Sequence, residues 1–155
     1  MQYENIKQDE LKAVDYIVFT TGNMHCGINI LDVQEIKKLS NITPVYHAPE
    51  YVRGIVNMRG HIITLIDIRN LLGLPAVTPL SSSLAIIVPF NEELIGILVE
   101  EVEDIVSTTS DLIEPPPSNM HIPEKQFISG ILKLDNKLIA IVEKNSICMK
   151  NNKSI

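Results

Sequence analysis

The chain has 155 residues, 45% apolar but only 5% aromatic, and a formal net charge of −6. That length suits one ordinary domain, or two small lobes sharing a core. The acidic balance argues against a nucleic-acid binder, which needs a basic face to displace counterions, and the absence of Trp leaves few stacking platforms for bases or Pro-rich peptides.

In chain order, residues 1–14 form a polar segment of alternating charge. Tyr16-Ile17-Val18-Phe19 is a β-branched and aromatic run, and Thr21-Gly22-Asn23 is a tight-turn sequence before the chain returns over Met24–Asn29, predicting a hairpin. Val33-Gln34-Glu35-Ile36, and later Val102-Glu103-Asp104-Ile105, are each expected to open with a short helical turn and extend into a strand. The stretch from Gly54 to Asp67 predicts a second hairpin turning at Arg59-Gly60, residues that tolerate positive φ. Within it Ile62, Ile63, Leu65 and Ile66 form a nearly continuous apolar run, as expected of a strand buried on both faces. Ile68-Arg69-Asn70-Leu71-Leu72 has apolar residues at helical spacing and stops at Gly73. Residues 75–83, rich in Pro and Ser, are the clearest linker.

The same series then recurs. Gly96-Ile97-Leu98-Val99-Glu100-Glu101-Val102-Glu103-Asp104-Ile105 repeats Gly27-Ile28-Asn29-Ile30-Leu31-Asp32-Val33-Gln34-Glu35-Ile36 at an offset of 69 residues. The strands predicted at 84–88 and 94–99, turning around Asn91-Glu92-Glu93, keep that offset. A hairpin around Gly130, turning at Asp135-Asn136, repeats the one around Gly54 at an offset of 76, which places seven extra residues in the second copy near Glu114-Pro115-Pro116-Pro117-Ser118-Asn119. Two ordered pairs mean a duplicated unit of about 70 residues. Each copy holds about five strands, the number a small closed barrel needs to protect its edges. Barrels of that size bury little surface alone, so the two should pack on each other. The expectation is one domain over residues 15–150, with one barrel at 15–74 and the other at 84–150. A duplicated β unit suits a binding platform with a groove between its halves.

Little in the chain suggests chemistry. His25, His47, His61 and His121 show no metal-ligand spacing, and the helical zinc pattern is missing, so no metal is expected. No phosphate loop or nucleophile motif is present, and neither catalytic residues nor a cofactor are expected. Cys26 and Cys148 form no C-x-x-C and read as buried reduced thiols. A Cys26 nucleophile would sit mid-strand with His25 on the opposite face. Glu92, Glu93, Glu100, Glu101, Glu103 and Asp104 read as a solvated rim that discourages edge pairing. The longest apolar runs are strand-sized, so no membrane insertion is expected and the protein reads as cytoplasmic.

Residues 42–69, which contain Ala48-Pro49-Glu50-Tyr51-Val52-Arg53-Gly54 and Asn57-Met58-Arg59-Gly60, closely resemble the signature of the CheW family, and Val33-Gln34-Glu35-Ile36 fits its V-x-E-I element. The likeness runs over residues 16–147. It implies a mainly β fold of two SH3-like five-stranded β-barrel subdomains packed together with short helices. It also implies a non-enzymatic adaptor that couples methyl-accepting chemoreceptors to the histidine kinase CheA, recruited to membrane-associated receptor arrays. Carried over position by position, the groove for the receptor's cytoplasmic tip would comprise Val33, Glu35, Ile36, Asn57, Arg59 and Gly60. An amphipathic receptor helix could lay apolar anchors on Val33 and Ile36 while Arg59 and Glu35 fix its polar groups, or Arg59 and Glu35 could pair with each other. The surface for the kinase's regulatory domain would use Ile36, Leu39, Ile42 and Val45, unless these pack in the core. Residues 120–127 of the second barrel would touch a neighbouring kinase domain.

The chain departs from the family pattern at three places. Thr64 stands where the family has Pro, which would restore a ladder hydrogen bond. Tyr46-His47 replaces a Pro-containing pair. Val142-Glu143-Lys144-Asn145-Ser146-Ile147 replaces the usual L-D-x-x-x-L-L ending, which predicts a short or frayed final helix. That ending leaves room for a paralogue serving another chemosensory system, such as pilus control. An enzyme using Glu35, His47 and Arg59 in the groove is the more remote alternative.

Overall fold

The computed structural model describes residues 12–75, 83–120 and 126–153. The strands are β1 Ala13–Thr21, β2 Met24–Asn29, β3 Glu35–Leu39, β4 Val52–Met58, β5 His61–Asp67, β6 Ser83–Phe90, β7 Glu93–Val99, β8 Glu101–Thr109, β9 Ile113–Glu114, β10 Ile128–Leu134 and β11 Lys137–Val142. Short helices punctuate them: 3₁₀ turns at Ile30–Asp32 and Ser110–Leu112, one helical turn at Ile68–Leu71, and a helix at Lys144–Lys153. Most of the polar segment at 1–14 (residues 1–11), most of the linker (76–82) and the middle of the loop at 120–127 (121–125) lie outside the described residues.

All four expected hairpins form. Their turns hold positive φ at Gly22, at Arg59 and Gly60, at Asn91 and Glu92, and at Asp135. These are the residue types whose small or hydrogen-bonding side chains, or missing Cβ, make the left-handed region cheap, with Arg59 and Glu92 as exceptions.

The strands assemble into a five-stranded sheet, β3-β6-β7-β5-β4, and a six-stranded sheet, β8-β1-β2-β11-β10-β9. Replacing each strand by its repeat equivalent turns the first order into the second, with β9 added. Each sheet thus takes its leading hairpin from the other half of the chain. The β1–β2 hairpin joins β8, β10 and β11, while β6–β7 joins β3, β4 and β5. Each hairpin makes one parallel join, β2 beside β11 and β7 beside β5, and one antiparallel join, β1 beside β8 and β6 beside β3. Residues 15–74 and 84–150 therefore follow the repeat but do not correspond to the two sheets.

The period-2 alternation of the strands feeds three cores. Ile63, Leu65, Ala85, Ile87 and Leu98 point into the curl of the five-stranded sheet, together with Leu39 and Met58. Tyr16, Val18, Leu132, Ile139 and Ile141 fill the six-stranded one. The alternate residues Ile17, Phe19, Ile66, Ile86, Val88, Ile95, Ile97, Ala140 and Val142 meet in a single larger cluster. That cluster also receives Ile68, Leu71 and Leu72 from the helical turn region, and Ile147 and Cys148 from the last helix. The mainly β fold is thus two curled sheets welded by a shared core, with strands β1, β5, β6, β7 and β11 buried on both faces.

Two repeat-related glycines show how each curl is pinned. At Gly54, where φ is +155°, an added Cβ would lie 2.4 Å from the Thr43 carbonyl oxygen. Thr43 and Ile55 exchange backbone hydrogen bonds of 2.9 and 2.8 Å at that point. At Gly130 an added Cβ would lie 2.5 Å from Ile113 Cγ2, on the short strand β9. Both glycines sit beside a register shift in their strand, so each marks a bulge where a connecting segment crosses closely.

Four local expectations need correction. The first helical turn, Ile30–Asp32, precedes Val33, because Asn29 Oδ1 accepts a hydrogen bond from Leu31 N at 3.0 Å and caps it. The equivalent residue in the second copy is Leu98, a core side chain with no cap to offer, so Val102-Glu103-Asp104-Ile105 lies wholly in strand β8. Ile62, expected in the buried run, is 66% exposed, unlike Ile63, Leu65 and Ile66. Finally, the last helix is neither short nor frayed from its start: it runs ten residues and fully buries Ile147 and Cys148. Thr64 pairs with Ile55 on one side and Ile95 on the other, a central position where Pro could not complete both ladders.

Candidate functional site

The V-Q-E-I and N-M-R-G segments come together. Val33 closes the capped 3₁₀ turn, its N–H donating to Ile30 O at 3.2 Å, and Gln34 N reaches Ile87 O at 2.8 Å. These bonds fix the entry of β3 and set Glu35 as its first residue, opposite Ile87. From the other side, the β4–β5 turn presents Arg59 at φ 53° and Gly60 at φ 84°. Asn57 Oδ1 accepts the Gly60 N–H at 3.1 Å, so Asn57 holds the turn in shape.

Across this gap Arg59 and Glu35 face each other in two-point contact: Nη1 is 3.4 Å from Oε1, and Nη2 donates to Oε2 at 3.5 Å. The Arg59 side chain is 70% exposed and that of Glu35 26%. An ion pair so open to water contributes at most about 1 kcal/mol. Its fixed orientation of a guanidinium at the surface therefore matters more than its stability. Beside the pair lies a cavity of about 700 Å³ lined by Gln34, Arg59, His61, Ile62, Thr64, Glu92, Glu93 and Leu94. His47 is exposed in the β3–β4 connection, at φ 66°, and forms no part of that wall.

The apolar candidates separate by exposure. Ile36 and Val45 are exposed, at 38% and 41%. Val33 is half-buried against the shared core. Leu39 is buried inside the five-stranded curl and Ile42 packs against it, which makes them core residues rather than contact surface. The alternation of β3 explains this, since Leu39 lies on the opposite face from Ile36. Tyr46, beside Val45, is 84% exposed, and Leu31 of the capped turn is 88% exposed. Sequence reasoning missed both because an apolar side chain gives no sign of facing water.

The acidic series is not a uniform rim. Glu100 Oε1 accepts the Gly22 N–H at 3.0 Å and lies 3.5 Å from Arg69 Nη1. Arg69, whose side chain is 5% exposed, donates Nε to Asp67 Oδ1 and Nη2 to Oδ2, both at 3.1 Å. Hydrogen bonds to Asp67 raise the pKa of the guanidinium further above its ordinary value. Arg53 Nε is 3.3 Å from the same carboxylate. This chain of charges ties the end of β5 to the β1–β2 turn, and so one sheet to the other. Glu103 likewise sits 3.3 Å from Lys137 Nζ, and His25 Nδ1 is 2.8 Å from its Oε1 without the alignment of a hydrogen bond.

Burial pushes the Cys26 and Cys148 thiols up to about 12 from the ordinary 9.0, leaving no thiolate at neutral pH. Among the described residues, no three His, Cys, Asp or Glu side chains group as metal ligands would. No helix among them is long and apolar enough to cross a membrane.

A family model described as the CheW-like domain matches residues 15–149. The chain belongs to the CheW-like family. It is 32% identical to the probable chemotaxis protein CheW of Rhizobium etli over 129 residues, which cover 83% of each chain. It is 30% identical to the chemotaxis protein CheW of Klebsiella aerogenes, over 86% of this chain and 81% of that one. Among solved structures, the scaffolding protein TtCheW from Thermoanaerobacter tengcongensis matches with a TM-score of 0.77 at 31% identity, covering 86% of both chains. The CheW-like fold and the two motifs that meet at Arg59 and Glu35 thus arrive together in one chain.

Proposed function

We propose that this protein is a chemotaxis adaptor that couples methyl-accepting chemoreceptors to the histidine kinase CheA, and that it acts by binding rather than catalysis. The observation that carries the reading is the Arg59–Glu35 pair, which brings the family's two motif segments to one surface beside an open cavity. The receptor's cytoplasmic tip occupies the groove formed by Val33, Glu35, Ile36, Asn57, Arg59 and Gly60. Of these, Val33 and Ile36 offer apolar contact, Glu35 and Arg59 offer polar contact, and Asn57 and Gly60 shape the turn that presents Arg59.

The kinase's regulatory domain takes the exposed apolar surface of Ile36, Val45 and Tyr46. Two surfaces on one rigid body transmit signal by holding receptor and kinase in fixed relation. Array assembly strengthens these weak contacts through effective concentration. The protein then works in the cytoplasm, at the receptor array.

Isothermal titration with the regulatory domain of a CheA from the same organism tests the reading. Saturable one-to-one binding at micromolar affinity or tighter supports it. A folded protein that binds neither that domain nor a receptor tip fragment overturns it.

A further inference from the structure

The cavity beside Arg59 is built by both repeats. Gln34, Arg59, His61, Ile62 and Thr64 come from the first, and Glu92 of the β6–β7 turn with Glu93 and Leu94 at the start of β7 from the second. At about 700 Å³ it has room for one turn of α-helix with side chains, a cylinder 5.4 Å tall and 10–12 Å across that fills roughly 420–610 Å³. Its wall carries an exposed apolar residue, Ile62, on a strand whose following residues run into the core. The charges on the wall are unevenly satisfied. Arg59 already faces Glu35, whereas Glu92 and Glu93 pair with no basic side chain among the described residues. An occupant that matches this wall carries an apolar side chain for Ile62 and Leu94 and a cation for the two carboxylates. On a helix, residues three or four apart place such a pair about 5–6 Å from each other.

We propose that the β6–β7 turn, through Glu92 and Glu93, and Ile62 together form a specificity subsite for a basic and an apolar side chain spaced three or four apart on the receptor-tip helix. This rests on the adaptor reading and adds to it a determinant from the second repeat. The motif segments hold the helix, and the acidic turn selects which helix is held.

The test is titration of the protein with a soluble cytoplasmic hairpin fragment of a methyl-accepting chemoreceptor from the same organism. Glu92→Lys combined with Glu93→Lys weakens that binding about tenfold at low salt, and the gap to the unaltered protein narrows at high salt. Ile62→Ser weakens it by a similar factor without salt dependence. Both variants bind the kinase's regulatory domain as the unaltered protein does, because the substituted residues are exposed and lie off that surface. Receptor affinities within twofold of the unaltered protein overturn the subsite alone. An effect of Ile62→Ser without one from the charge reversals overturns the assignment of the basic residue. No binding of the fragment by the unaltered protein overturns the receptor reading and the subsite with it.

Discussion

Replacing Arg69 by Met removes the guanidinium at the centre of the charge chain while keeping an unbranched side chain of similar reach. Asp67 and Arg69 side chains are 4% and 5% exposed, and the substitution leaves the carboxylate buried without its two 3.1 Å partners. Breaking a buried pair from one side costs about 3–5 kcal/mol. Arg53 remains 3.3 Å from Asp67 on a side chain one-third exposed, so the loss falls at the lower end, about 3 kcal/mol. In a domain of this size that lowers the melting temperature by about 6–12 °C. Urea unfolding followed by circular dichroism measures it. The matched control is Arg53→Met, a partly exposed partner of the same carboxylate, which costs about 1 kcal/mol or less. Adding Asp67→Asn to Arg69→Met recovers part of the loss, because the amide is neutral and still caps the Arg69 N–H, held at 3.0 Å in the unaltered chain. If Arg69→Met costs no more than Arg53→Met, the buried pair does not join the sheets as argued.

Arg59→Glu leaves the melting temperature within a degree or two and weakens receptor binding more than kinase binding; equal loss of both counts against separate surfaces. Leu39→Ala, a core truncation, costs about 2–5 kcal/mol by chemical denaturation, whereas Ile36→Ser costs under about 1 kcal/mol and shows instead as weaker kinase binding. Gly54→Ala meets the Thr43 carbonyl at 2.4 Å and lowers stability by about 1–3 kcal/mol, measured by the same denaturation. The two thiols, raised to about 12, stay unreactive towards a disulfide reagent at pH 8 until denaturant is added. Because their folded pKa values lie above the unfolded 9.0, their contribution to stability is whole below about pH 9 and is lost as pH climbs towards about 12; the melting temperature should fall less over that range when both are replaced by Ala.

Much of this was legible because it is local. Turn residues at Gly22, Arg59-Gly60, Asn91 and Asp135 and the alternation around them place the hairpins without reference to the rest of the chain. Glu35 and Arg59 were singled out through the resemblance to the CheW family's V-x-E-I and N-x-R-G elements, and their pairing was one of two readings the sequence left open. What stayed hidden depends on partners distant in sequence. Nothing in β1–β2 says that it will lie beside β11 rather than β5, since either neighbour satisfies the same apolar pattern. The burial of Leu39 depends on the five-stranded sheet curling over it, and the exposure of Ile62 on where the shared core ends, neither of which is local. The Asp67–Arg69–Glu100 chain was missed because Arg69 and Glu100 are 31 residues apart and each reads singly as a surface charge.

The exchanged hairpins also show what one copy alone would lack. A single 70-residue copy would own its leading hairpin and three further strands, yet the sheet those three strands form is completed only by the leading hairpin of another copy. Two identical copies could satisfy each other about a twofold axis, as swapped protomers do. The present chain has the strand order of such a homodimer whose protomers have been fused end to end. Fusion releases the two halves from sequence identity. One half carries Asn29, Arg59 and the capped turn, while the equivalent positions of the other are Leu98, Asp135 and a continuous strand. A symmetric pair of identical copies could only offer the same face twice; a single chain with two unlike halves can face a different neighbour on each side.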